Sequence, residues 1–132
     1  MKKQVEAWIT FAERDLLTVS KIIKLPELAN IAAFHCQQAI EKYFKAFLLE
    51  NGKQLPKIHN LLTLFGAIKE ITNFGFDEDL LATINDIYLE SRYPGEIGLL
   101  DDDSMLTTEQ TIQFLSFSNE VGRKIKEKMS TT

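Results

Sequence analysis

A chain of 132 residues that is 45% hydrophobic and 26% charged is long enough to bury about two thirds of its unfolded surface around one core, so a single domain over residues 1–132 is expected. Fifteen basic against nineteen acidic side chains leave a net charge of −4, which rules out counterion release over the whole surface as a driving force for nucleic-acid binding; any phosphate contact must be local. No apolar run approaches the roughly 18 to 20 residues of a membrane span, and the lone cysteine, Cys36, permits neither an internal disulfide nor a cysteine-rich zinc site. The basic start, Met1-Lys2-Lys3-Gln4-Val5-Glu6, leads into a charge-studded segment without an apolar signal core. A cytoplasmic protein is therefore expected.

Three prolines and six glycines punctuate the chain, and between them apolar residues recur at three- and four-residue spacing. This predicts an all-α fold. The first helix, about residues 3 to 24, puts Val5, Trp8, Ile9, Ala12, Leu16, Val19 and Ile23 on one stripe, with Lys3, Glu6, Thr10, Arg14 and Lys21 facing away. Pro26 interrupts it, and a second helix is predicted from about Glu27 to Glu50, ended by Asn51-Gly52.

The second helix carries a continuous apolar arc that includes Cys36, Ile40, Tyr43, Phe44 and Phe47, with Ala32, Ala39 and Ala46 along one margin where a neighbour can approach closely. It reads as the central core helix. His35, Gln38, Lys42 and Lys45 form a polar line on its other side, into which Ile31, Phe34, Leu48 and Leu49 intrude, suggesting a partner surface.

A third helix is predicted near 59 to 72 with Leu61, Leu62, Leu64, Phe65 and Ile68 inward, followed by an aromatic turn at Asn73-Phe74-Gly75-Phe76. The fourth begins near Asp77-Glu78-Asp79, carries Leu80, Leu81, Ile84, Ile87 and Tyr88 inward, and ends at Tyr93-Pro94-Gly95. A loop is expected from Gly95 to Asp103. The last helix starts near Ser104 or Thr107, where Thr107 and Gln110 have capping-box spacing, and runs to about Lys128 on Phe114, Phe117, Val121 and Ile125; Met129 to Thr132 are expected to fray.

Chemistry-bearing residues are few. Arg92 stands at the last helical turn before a forced break, where a guanidinium can grip phosphate or cap carbonyls, and Tyr93 beside it can stack on a base. His59 falls at a helix start and suits a cap or a solvent-facing contact, while His35, Gln38 and Lys42 form a line that can donate to an anion or be solvated. Asp15 sits at the edge of an apolar stripe and must find a cation; Arg92 and His59 are the expected candidates. Two histidines and one cysteine lack a third ligand at recognisable spacing, and Asp101-Asp102-Asp103 is read as a cap for the last helix, so no metal and no cofactor are expected. Cys36, inside the apolar arc, is expected in the core.

These residues resemble the HEPN domain family, which implies a four- to five-helix up-and-down bundle. The resemblance rests on Ala12-Glu13-Arg14-Asp15-Leu16, on the run from Phe34 to Leu48 containing Gln37-Gln38-Ala39-Ile40-Glu41-Lys42, on Lys57-Ile58-His59-Asn60-Leu61 and on Ser91-Arg92-Tyr93-Pro94, and it covers nearly the whole chain. It implies a homodimeric bundle, often paired with a minimal nucleotidyltransferase as toxin and antitoxin, that associates with nucleotides or RNA. Active members resembling it are metal-independent ribonucleases with an arginine followed four to six residues later by a histidine. After Arg92 this chain continues Tyr93, Pro94, Gly95, Glu96, Ile97, Gly98, Leu99, and both histidines lie upstream. The expected function is therefore a binding module built on Arg92, Tyr93, His59, Asp15, His35, Gln38 and Lys42. Two alternatives stand beside it: an unconventional ribonuclease using His59 and Arg92, and a dimerising scaffold in which Arg92 pairs internally with Asp15.

Overall fold

The computed structural model describes residues 2–92 and 106–130, with side chains for 2–87 and 106–130. The described residues form five α-helices: α1 (Lys3–Ile22), α2 (Ala29–Glu50), α3 (Leu61–Lys69), α4 (Glu78–Arg92) and α5 (Thr108–Ser130). The all-α expectation holds, and among the described helices none is long and apolar enough to cross a membrane. The turn at 93–95, the loop to 103 and the aspartate run 101–103 lie outside the described residues.

α2 is the axis of the bundle and packs against α1, α3, α4 and α5. Ala32, Ala39 and Ala46 are all buried, as are Cys36, Ile40, Tyr43, Phe44 and Phe47, so the apolar arc read from spacing is the core arc. α5 closes on it through Gly122, which lies against the Tyr43 ring. On another face of α2, Phe44, Phe65, Phe74 and Phe76 form a run of ring contacts, the tightest being Phe74 and Phe76 at 5.1 Å.

Helix ends follow from local chemistry. α2 begins at Ala29 rather than at Glu27 because Pro26–Leu28 form a 3-10 turn, with Leu28 N donating to Leu25 O at 2.9 Å. Its end is closed by Gly52 at φ +75°, with Lys53 N donating to Leu48 O at 3.0 Å. α3 is shorter than predicted because Asn60 is its cap, accepting from Leu62 N and Thr63 N. Leu62, expected inward, is exposed. The capping box forms at the head of α5: Gln110 N donates to Thr107 Oγ1 at 3.1 Å and Thr107 N to Gln110 Oε1 at 2.8 Å. Met129 does not fray. It lies four residues beyond Ile125 on the same stripe and is buried.

Candidate functional site

The polar residues of α2 point to α1 on one side and to the start of α3 on the other, and each side is organised by a carboxylate. On the α1 side Asp15, which is buried, accepts from His35 Nδ1 at 2.9 Å through Oδ1 and from Lys42 Nζ at 2.6 Å through Oδ2. His59, an expected partner, pairs elsewhere, and the side chain of Arg92, the other expected partner, lies outside the described residues. Among the described residues both Asp15 oxygens are met from α2, because residue 15 on α1 faces the polar line of the helix packed beside it.

The second cluster is deeper. Glu41 is buried and accepts from Lys45 Nζ at 2.9 Å and from His59 Nδ1 at 3.0 Å. Gln37, also buried, places Nε2 at 3.4 Å from Glu41 Oε1 and donates to the His59 carbonyl at 3.0 Å. Gln38 Nε2 then donates to Gln37 Oε1 at 2.7 Å. His59 is consequently tied to α2 at both its ring and its backbone, yet its side chain stays 59% exposed.

Lys45 corrects the expectation of a solvated polar line. Its side chain is 9% exposed, it lies over the Trp8 ring at 5.7 Å, and its ammonium meets Glu41 one helical turn away. Leu48, read as an intruder on that line, is likewise buried. Ile31 remains exposed, and Phe34 and Leu49 are half-buried.

α4 is fixed against the start of α3 by a buried bond: Leu61 N donates to Asn85 Oδ1 at 3.0 Å. Arg92 is the last residue of α4; its side chain, and all of Tyr93, lie outside the described residues. Of the seven candidates, then, Asp15, His35 and Lys42 are joined in one cluster, and Gln38 and His59 in the other. Reasoning from sequence missed Glu41, Gln37, Lys45 and Asn85. The signal for the first three was the four-residue spacing of Gln37, Glu41 and Lys45, which puts them on one face of α2.

Cys36 is wholly buried and its thiol is pushed up to about 12, by burial first and by the Asp15 charge, against a hydrogen bond with Ser118. It is a core residue rather than a nucleophile. Among the described residues no group of three His, Cys, Asp or Glu side chains is placed to hold a metal ion. A groove of about 800 Å³ between α1 and α5, floored by Leu16, Tyr43 and Leu115, contains none of the candidates.

Residues 5–128 match the HEPN domain family. A solved structure described as an archaeal HEPN homologue superimposes with a TM-score of 0.67 at 20% identity, over 98% of this chain and 99% of that one; at that identity it speaks for the fold alone. No curated protein matches the chain. With the family match spanning almost the entire bundle, the chain belongs to the HEPN domain family.

Proposed function

We propose that this chain is a nucleotide- or RNA-binding module, a homodimeric HEPN subunit that works with a minimal nucleotidyltransferase in a toxin–antitoxin type system. The observation that carries the binding reading is the Asn85 to Leu61 bond. Asn85 and Arg92 are seven residues apart on α4 and so share a face of that helix, about 10 Å apart along its axis. In this reading Arg92 continues the stripe that Asn85 begins, and Asn85 is bonded to Leu61, two residues after His59.

Charge supports the same assignment. Lys42 and Lys45 are matched by Asp15 and Glu41 and are less open to a phosphate; in this reading Arg92 supplies the charge and Tyr93 a stacking surface. Exposed Phe11, Leu17, Ile31 and Ile112 support self-association. Isothermal titration with ATP, GTP and short RNA is expected to show millimolar or better binding, weakened at least several-fold by Arg92→Ala. Heats unchanged by that substitution remove the assignment.

One observation favours a ribonuclease as the second reading: Glu41 holds the His59 ring as a carboxylate holds an acid–base histidine. Cleavage of total RNA in the presence of chelator, abolished by His59→Ala, would establish it.

A further inference from the structure

We infer that Glu41 is a positioning residue that fixes the His59 imidazole as its Nδ1–H tautomer, so that Nε2 offers a lone pair outward and meets a hydroxyl of the ligand sugar rather than a phosphate oxygen. The ligand class rests on the nucleotide reading above; the tautomer does not. Glu41 is buried and already accepts from Lys45 Nζ at 2.9 Å. A carboxylate beside an ammonium is an acceptor only, so the ring nitrogen that approaches it to 3.0 Å must donate. A neutral imidazole that donates through Nδ1 has its lone pair on Nε2.

The backbone that carries the ring is held in place. Gln37 Nε2 donates to the His59 carbonyl at 3.0 Å, and the next residue, Asn60, is committed to capping α3. Among the described residues Nε2 has no hydrogen-bond partner, and more than half of the side chain is open to solvent. With the ring neutral, a phosphate oxygen set against Nε2 would oppose one lone pair to another, whereas a ribose hydroxyl donates to it.

Lys45 Nζ and His59 Nδ1 both meet Oε2 of Glu41, at 2.9 and 3.0 Å, so Glu41→Gln would leave an oxygen in place and the acceptor has to be removed outright. Glu41→Leu with Lys45→Met does so without stranding a charge, and the ring proton, no longer held at Nδ1, should move to Nε2. Long-range ¹H–¹⁵N correlation spectra of ring-labelled histidine, recorded where the rings are neutral and assigned with His35→Gln, should show Nδ1–H at His59 in the wild type and Nε2–H in the double variant. A wild-type ring protonated on Nε2, or a tautomer unmoved in a folded double variant, overturns the role given to Glu41; the wild-type spectrum decides even if the variant does not fold. Titration with ATP and with 2′,3′-dideoxy-ATP reads the ligand side. Loss of the hydroxyls is expected to cost the wild type about fivefold in affinity, the worth of one hydrogen bond. Equal wild-type affinities overturn the hydroxyl assignment, and no binding of either nucleotide overturns the nucleotide reading while the spectra still judge Glu41.

Discussion

Glu41 and Lys45 stand one turn apart on α2 and pair at 2.9 Å with both side chains inside the protein, at 6% and 9% exposure. Ion pairs at this spacing usually lie in water and contribute little. Here removal of one member leaves the other charge without its counterion in the bundle. Each carboxylate keeps its histidine when its lysine is lost, so burial sets the order: Lys45→Met is expected to destabilise by about 3 to 5 kcal/mol, whereas Lys42→Met, which removes a lysine 23% exposed, should cost clearly less. Replacing both members, as Glu41→Leu with Lys45→Met, should regain most of the loss. Urea denaturation of the four proteins checks the order.

That pair also marks where the sequence stops being legible. Helical spacing is enough to identify α2 as the core helix and to place Ala32, Ala39 and Ala46 at close contacts, because periodicity reports directly on which face is buried. The Thr107 and Gln110 capping box is equally local. Glu41 and Lys45 defeat the same logic, since two opposite charges four residues apart read as a solvated face unless the Trp8 ring of α1 is known to cover them. The partners of Asp15 are 20 and 27 residues distant in sequence, and nothing in the spacing distinguishes His35 and Lys42 from other available cations. Only packing of α1 on α2 makes that choice.

Gly122 carries a tight packing constraint. A Cβ built there would fall 2.4 to 2.6 Å from three atoms of the Tyr43 ring, with the ring itself buried between helices. Helix propensity favours alanine over glycine by about 1 kcal/mol, but overpacking of this kind costs about 1 to 3 kcal/mol or more. Gly122→Ala should therefore lower the denaturation midpoint. Tyr43→Leu, destabilising alone, should make Gly122→Ala less damaging, a non-additivity that a double-mutant cycle reads directly.

Stability should decline steeply in alkali. Burial raises Cys36 from 9.0 to about 12, and burial together with the Glu13 charge raises Tyr43 from 10.0 to about 12. Both groups are neutral when protonated. The unfolded chain therefore loses these protons first, the stabilisation is complete below about pH 9, and it is lost as pH rises toward 12. Each proton so held contributes a slope of about 1.4 kcal/mol per pH unit within its window. Cys36→Ala, though less stable near neutrality, should show a shallower fall from pH 9 to pH 12 in thermal melts.

Asn85 connects the frame to the proposed site. Its Oδ1 receives the Leu61 amide at 3.0 Å in a buried position, serving one of the N–H groups that the head of α3 leaves without a helical partner. Asn85→Ala strands that donor, at a cost of about 1 to 3 kcal/mol, and frees the start of α3 from α4. Asn85→Asp keeps an acceptor at the same place and should retain much of the stability. If His59 and Arg92 act on one ligand, loosening this joint weakens binding beyond the loss of fold, so Asn85→Ala is expected to lower nucleotide affinity at temperatures where it remains fully folded, with Asn85→Asp close to wild type. Titration calorimetry at such a temperature, with circular dichroism on the same samples, measures it; affinity unchanged in a folded Asn85→Ala protein would place the two residues in separate functions.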